Sequence, residues 1–544
     1  MQGEAQLRKC RLTATEENKV VRSYHTFAFP FIWEKSGLSL EDISDSFIRN
    51  VYWCCDDFKD KWELPEQRAA SMEERRLLYA EYQYFYPAVR NTLYGIGDHP
   101  ASHRYTFQPT GRENGYNHDS TMEYIIECKT GDYRLNLNGI RLRLYNTGVG
   151  ILVFECENTS YTTLADVKAI NEYGRRVGVA AVPTFYNAKR LGICIKGMES
   201  EFPLTDFRPF HKQSGGKAEK IPPLTYFADF LTDLLNLGNA TNRFVSHQTE
   251  RGGEVFIYPA IDDRMFTHCM VQMEVPCAEE LLSYFHDPEN ADPAVEQSLY
   301  ELFYVDTQGG CSARETGLRR RELEKSAYLR WLDWSSVYAV THHSMFMLST
   351  NTPEFLINTF LTEYFELACL CLAQKASLIS LQAKMTEISS GLEVDGKRMD
   401  SDKVNRLADL QERFVAFSNQ FDFYGVTEQY QGVELYDMLR EQLYIREARD
   451  SLHEQIESLY ETANVNQDVS FNKWALVLAL IALFWEAAST WTDSVAVFQS
   501  FGEGAFLALG VTFAIAAVLV GAAFGIAFGL VHRTAPKGRK KKKG

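Results

Sequence analysis

Two long apolar stretches near the C-terminus, Trp474 to Phe498 and Ala505 to Val531, constrain this chain more than any other feature. At about 1.5 Å per helical residue, each is long enough to cross a hydrocarbon core of about 30 Å. The connection around Ser494 to Gly504 is short, so the two predicted spans run antiparallel. No Lys or Arg occurs between Lys473 and Arg533, whereas Lys537, Arg539, Lys540, Lys541, Lys542 and Lys543 crowd the tail. By the positive-inside rule both chain ends face the cytoplasm and the loop, flanked by Asp493 and Glu503, faces out. The N-terminal segment, with Arg8, Lys9, Arg11, Glu16, Glu17 and Lys19, lacks the apolar core of a cleavable signal peptide. The expectation is a multi-pass protein of the cell (plasma) membrane, in contact with lipid, with cytoplasmic N- and C-termini.

Glu486 falls near the middle of the first span, where an ionised side chain facing lipid costs several kcal/mol. Steps of three and four residues from it place Ala475, Ala479, Ala482, Ser489 or Thr490, and Asp493 on one small, polar face. If several copies surround an axis, Glu486 and Asp493 become stacked carboxylate rings, which attract cations. Ala479, Ala482, Glu486, Ser489, Thr490 and Asp493 are therefore the candidate pore-lining residues. The plainer alternative is a Glu486 that is protonated or hydrogen-bonded within the hairpin and lines nothing. In the second span Gly521, Gly525 and Gly529 recur every four residues and permit close helix packing.

The rest of the sequence reads as globular and wet. Mean hydropathy is −0.26 with 45% hydrophobic residues, because nearly all strongly apolar sequence follows Trp474. At 544 residues the chain exceeds one ordinary domain. A net charge of −16 argues against a nucleic-acid-binding surface over the whole protein, since phosphate contacts need clustered Lys and Arg. The 11 cysteines, among them the neighbours Cys54 and Cys55 and the spaced Cys369 and Cys371, contain no paired Cys-x-x-Cys motif and read as reduced thiols.

Between about Pro353 and Asp468 helix formers dominate. Leu435, Leu439, Leu443, Leu452, Ile456 and Leu459 keep helical spacing, and the segment runs toward Trp474 without a proline, so a nearly continuous helix into the membrane is predicted. Gly391 to Ser401 reads as a turn between such helices. Upstream the periods mix. Leu142–Tyr145 and Gly150–Glu155 read as paired strands around Asn146-Thr147-Gly148, and Thr163 to Arg176 reads as a helix. Lys212 to Pro223 and Thr307 to Arg321 read as loops. The predicted architecture is an α/β cytoplasmic ligand-sensing domain (1–352), a long α-helical stalk (353–473), a two-helix transmembrane hairpin (474–531) and a basic cytoplasmic tail (532–544).

Enzyme motifs are not evident, and no catalytic residue is assigned. Ser214-Gly215-Gly216-Lys217 lacks the upstream Gly and the following Ser or Thr of a phosphate loop. His453-Glu454-Gln455-Ile456-Glu457 has Glu where a zinc-protease helix needs its second His. His342 and His343 fall in an apparent strand, Val340 to Ser344, where adjacent side chains face opposite ways, and no metal site is assigned. Two basic clusters remain as candidate ligand sites, Arg175 with Arg176, and Arg319, Arg320 and Arg321 with Arg314. Guanidinium forks match phosphate oxygens, although solvated ion pairs are the plainer reading.

An α/β domain, helical stalk, two C-terminal spans and a lysine-rich tail together resemble the CorA family of divalent-metal channels. The resemblance is strongest over 353–544. The stretches Asn146-Thr147-Gly148-Val149-Gly150-Ile151-Leu152, Leu372-Ala373-Gln374-Lys375-Ala376-Ser377 and Gln431-Gly432-Val433-Glu434-Leu435-Tyr436 look like a divergent CorA-like branch. Magnesium-transporting members carry Gly-Met-Asn at the outer end of the first span, where this chain has Trp491-Thr492-Asp493-Ser494-Val495. CorA-like proteins without that motif include membrane effectors of type III CRISPR antiviral defence, which this chain also resembles. The resemblance implies a homo-oligomeric ring, a pentamer in the metal channels, gated by a small nucleotide second messenger of the S-adenosylmethionine–AMP type. Two other readings stand beside it: a divalent-cation transporter regulated by Mg²⁺, and a membrane-anchored scaffold or sensor without a pore.

Overall fold

The first long strand, β1 (Val20–Glu34), sets the architecture through its alternation. Phe27, Phe29, Phe31 and Trp33 point to one side and enter a buried cluster with Leu142, Leu144, Leu152 and Phe154. The computed structural model describes residues 19–34, 52–55, 72–96, 100–109, 122–129, 131–178, 190–197, 202–206, 228–235, 245–248, 254–306, 312–350, 352–390, 401–461 and 510. Within them the remaining strands are β2 (Trp53–Cys55), β3 (Ser102–Phe107), β4 (Met122–Cys128), β5 (Tyr133–Tyr145), β6 (Val149–Asn158) and β7 (Arg190–Lys196). They continue with β8 (Phe202–Asp206), β9 (Val245–Gln248), β10 (Glu254–Pro259), β11 (Phe266–Met273), β12 (Ala327–Tyr328), β13 (Ser336–Val340) and β14 (Ser344–Ser349).

These strands form one 14-stranded sheet whose main path runs β12-β13-β14-β11-β1-β6-β5-β4-β7-β8. Pairing is antiparallel except where β11 lies parallel to β14. The β5–β6 hairpin turns at Asn146–Gly148, as the sequence predicts, but β5 starts at Tyr133 and is longer than the apolar signal alone.

The helices are α1 (Met72–Tyr84), α2 (Pro87–Tyr94), α3 (Leu164–Gly174), α4 (Asp229–Leu234), α5 (Val275–Ser283), α6 (Pro293–Phe303), α7 (Thr316–Ser326) and α8 (Glu354–Thr359). After a π-helical turn, Phe360–Tyr364, come α9 (Phe365–Ser389), α10 (Ser401–Gln420), α11 (Tyr430–Gln442) and α12 (445–461). A mixed α/β region followed by helices is thus observed. The chain divides into two compact units, one of Met1–Ala383 with Arg413–Asp450, the other of Lys384–Glu412 with Ser451–Gly544.

In the first unit the sheet is covered on both faces. Helices α5 and α6 supply Ala278, Leu281, Leu299 and Phe303 to a cluster with Cys269 and Val271 of β11 and Phe346 and Leu348 of β14. The opposite face receives α9. Because strand side chains alternate, Leu142 and Leu144 leave Arg143 pointing the other way, onto α9. There Glu366, 3% exposed, accepts from Arg143 through both oxygens, one bond measuring 2.7 Å, and from Arg104 at 3.3 Å. Burial pushes the Glu366 carboxyl up, but Arg104 and Arg143 outweigh it and hold the group below the ordinary range. Residues Leu367 to Cys371 are all fully buried beside it. Among the described residues Glu354–Ser389 is the one helix long and apolar enough to cross a membrane, and 72% of its apolar window is buried inside the protein. That burial makes it the core helix of this layer.

In the second unit, Arg406 pairs with Glu387 at 2.6 Å and Lys403 donates to the Ser390 carbonyl at 3.1 Å.

Four sequence expectations change or fall elsewhere. Residues 316–321 are helical rather than looped: Glu315 accepts from the Gly317 and Leu318 amides at 2.8 and 2.5 Å and caps α7. His342 and His343 sit in the turn between β13 and β14, not within a strand. The helix expected through 435–459 breaks at Leu443–Tyr444, where Tyr444 takes φ 55°. Helix α10 starts at Ser401, but the predicted turn before it, the 212–223 loop, the transmembrane hairpin and the basic tail lie outside the described residues.

Two consequences are measurable. Glu366→Gln leaves two buried guanidinium groups without their carboxylate, so it should lower unfolding stability by about 3–5 kcal/mol in chemical denaturation. Glu155→Gln, which touches only the part-exposed Arg141 pair, should cost less than about 1 kcal/mol. His268 is fully buried, stacked on Phe360 at 4.1 Å, and both its ring nitrogens lack a hydrogen-bond partner. Burial pulls its pKa down to about 3. A base lowered in this way stabilises the fold above pH 6.5 and loses that contribution as pH falls toward about 3. His268→Phe should therefore match or exceed the wild type by about 1–3 kcal/mol, and the gap should widen on acidification.

Candidate anion-binding site

Helix α3 begins at Thr163, whose hydroxyl accepts from the Asp166 amide at 3.1 Å, and ends at Arg175. Beyond it the backbone meets the strand that leads into β11. Met265 N donates to Arg175 O at 2.7 Å, Val177 N donates to Asp263 O at 3.3 Å, and Arg176 and Arg264 form an isolated antiparallel bridge. Arg264, distant in sequence, is thereby brought beside the neighbours Arg175 and Arg176.

Arg175 is 2% exposed. Its Nη2 donates to Glu172 at 3.2 Å and to the Val305 carbonyl at 3.0 Å, while its Nε and Nη1 are buried with no hydrogen-bond partner. Arg176 also binds Glu172, its Nε at 2.9 Å from Oε1. Arg264 Nε donates to Asp262 at 2.6 Å. Burial and then the bonds from Asp263 and Arg264 act on Asp262 in opposite directions, and its pKa ends at about 2. Asp263 lies against Gly178, where a Cβ would come within 2.6 Å of its Oδ2. Burial first, and then its neighbour Asp262, push the Asp263 carboxyl up to about 6, against Arg176 and Arg264.

The β13–β14 turn adds two imidazoles. Burial first, and then the positive charges of Arg175 and Arg264, pull His343 down to about 3. His342 is also lowered by burial, with Lys375 and Arg264 contributing, and its Nδ1–H donates to the Gln442 carbonyl at 3.0 Å. Lys375, on α9, donates to the Leu443 carbonyl at 3.0 Å, and burial lowers its pKa to about 8. Among the described residues no carboxylate pairs with Lys375. Arg175, Arg176 and Arg264 therefore face Glu172, Asp262 and a carboxyl that is half protonated near pH 6. Buried charge is ordinarily matched by a counter-charge, so the local surplus is positive, and Arg175 Nε and Nη1 are buried donors without an acceptor.

The second predicted cluster is different. Arg319, 5% exposed, spends its guanidinium on Glu296 at 3.0 Å and on the Ala313 and Arg314 carbonyls at 3.1 and 2.9 Å. Arg320 shares Glu296 at 3.4 Å, and Arg314 and Arg321 are exposed. These residues tie α7 to α6. Arg264 and Asp263 were not signalled by local sequence, because they reach the site through long-range pairing, and His343 was weighed only as a metal ligand. The expected pore-lining residues Ala479, Ala482, Glu486, Ser489, Thr490 and Asp493 lie outside the described residues. No cluster of three or more His, Cys, Asp or Glu suited to a metal ion occurs among the described residues.

One further buried constellation looks chemical. His25 Nε2 lies 2.9 Å from Ser23 Oγ and its Nδ1 lies 2.7 Å from Asn171 Oδ1, while Asn158 donates to Ser23 at 2.9 Å. All four side chains are at most 2% exposed and bond to one another. It is a core hydrogen-bond chain. No family model, curated protein or solved structure matches this chain.

The carboxyl pair predicts a pH signature. Asp263, raised from 3.8 to about 6, holds a proton in the folded state that the unfolded chain releases, so its contribution falls as pH rises through that window. Asp262 acts oppositely and loses its contribution as pH falls toward about 2. Asp263→Asn should gain about 1–2 kcal/mol on the wild type between pH 4 and 6, after allowing for partial exposure. Urea denaturation of both proteins across that range measures the difference directly.

Proposed function

We propose that this protein is an oligomeric, CorA-like membrane channel of type III CRISPR antiviral defence, opened by an anionic nucleotide second messenger of the S-adenosylmethionine–AMP type. The single observation that carries the ligand half is Arg175, buried with two N–H groups unpartnered inside a cationic neighbourhood. An anionic oxygen would supply the acceptor that Arg175 Nε or Nη1 lacks, and the low-dielectric surroundings would strengthen that bond. The membrane half rests on the sequence, through the two apolar stretches 474–498 and 505–531 and the acidic face bearing Glu486 and Asp493. Stacked carboxylates there would favour cation passage in a ring of copies. The ligand acts only through a difference in affinity between closed and open forms.

Ion flux from liposomes bearing the full chain tests this reading. Flux that requires the S-adenosylmethionine–AMP conjugate, and that disappears in both Glu486→Ala and Arg175→Met, is the predicted result. Flux driven by a Mg²⁺ gradient alone, indifferent to Arg175, would instead identify a divalent-cation transporter. Absence of flux under every condition would leave the hairpin as an anchor.

A further inference from the structure

The break between α11 and α12 carries no glycine or proline, and two side chains from elsewhere in the chain hold it. His342, in the β13–β14 turn, donates to the Gln442 carbonyl, and Lys375 of α9 donates to that of Leu443, each at 3.0 Å. Carbonyls at a helix C-terminus lack intrahelical donors, so these bonds supply what the break leaves open. Tyr444 follows at φ 55°, a left-handed conformation disfavoured for a tyrosine. Its ring covers both donors, with its centroid 5.8 Å from that of His342 and 5.9 Å from Lys375 Nζ. Helix α12 then carries the chain from the first compact unit into the second at Asp450–Ser451. The other two crossings, Ala383–Lys384 and Glu412–Arg413, lie inside the unbroken helices α9 and α10. The α12 crossing, by contrast, follows closely on a break.

We infer that Leu443–Tyr444 is a hinge that Lys375 and His342 hold closed and that protons open. The hinge works whatever α12 leads to, so the inference goes beyond the channel reading and does not depend on it. Its physical basis is that two bases sit half-buried under the break they hold, bonded to neutral carbonyls with no carboxylate beside Lys375 among the described residues. Burial lowers Lys375 from its ordinary 10.5 to about 8, and lowers His342 as well. Opening the break uncovers both and returns them toward their ordinary values. The closed form therefore binds fewer protons than the open one across that window, and a fall in pH shifts the balance toward opening, relieving the strained Tyr444 at the same time. The surroundings do not reverse this sign. Facing His342 are His343, ring centroids 5.1 Å apart, and Arg264 and Asp262, which lower and raise it respectively. On α11 and α12 Arg446 pairs with Asp437, and Arg440 and Arg449 pair with Asp422 at 2.5 and 2.6 Å. Cys371, one turn before Lys375 on α9, is kept as the neutral thiol by burial.

Hydrogen exchange on the full-length protein in detergent reads the hinge through the Tyr444 amide, which donates to Glu441 O at 3.0 Å, and the Ala448 amide, which donates to Tyr444 O at 3.1 Å. With exchange divided by the intrinsic rate at each pH, protection of these amides should fall several-fold, up to about tenfold, between pH 9 and pH 7. That range isolates Lys375, because His342 contributes only once pH drops below its ordinary value. Lys375→Gln, a donor that never carries charge, should stay protected at both pH values. Lys375→Arg, charged throughout, should show the low protection already at pH 9, and it covers the case in which the glutamine variant folds poorly. Equal wild-type protection at pH 9 and pH 7, or an undiminished pH dependence in either folded variant, would overturn the inference. The measurement needs neither a ligand nor conductance, so failure of the channel reading leaves it intact.

Discussion

The buried Glu366 carboxylate is the interaction on which the first unit depends. It accepts two arginines from the sheet, Arg143 on β5 and Arg104 on β3, and is itself part of α9. The three charges lie in a layer where neighbouring side chains are fully buried, so the helix has one rotation and one height at which both guanidinium groups are satisfied. Such a cluster adds little net stability over an apolar replacement, yet breaking it is costly. Its effect is to fix register. Lys375 follows Glu366 by about two and a half turns, or about 13 Å of helix, and arrives beside the Leu443 carbonyl. Placement of Lys375 against the helix break thus follows from the register that the ion cluster sets.

A second constraint sets the chemistry. The bridge between Arg176 and Arg264 forces like charges together, and Glu172 and Asp262 offset only part of them. Asp263 keeps its proton in a range where an exposed aspartate would not, which deepens the positive surplus at mildly acidic pH. His343 stays neutral for the same reason. The arrangement favours an anion, because Glu172 and Asp262 are already engaged by arginines while Arg175 Nε and Nη1 lack an acceptor.

The sequence made some of this legible and hid the rest for physical reasons. The Asn146-Thr147-Gly148 turn and the helix after Thr163 carry local signals, and both form where periodicity and capping chemistry place them. Helix α7 escaped because more than half of Thr316–Ser326 is charged and it buries Leu323 with Arg319 rather than an apolar stripe. The break at Leu443 escaped because no Gly or Pro marks it, its carbonyls being held by residues about 70 and 100 positions away along the chain. Arg175 was recognisable as a cation in a cluster. That it is buried with Nε and Nη1 unpartnered, while Arg319 is buried with both Nε and Nη1 bonded, is a tertiary fact.

Equilibrium dialysis of labelled orthophosphate against the full-length protein tests the central claim most directly, since it measures the site without requiring a pore or a moving helix. The account predicts saturable binding that is abolished in Arg175→Met and unaffected in Arg320→Gln, which alters the other basic cluster. Binding that persists unchanged in Arg175→Met, or no saturable binding at all, would contradict it.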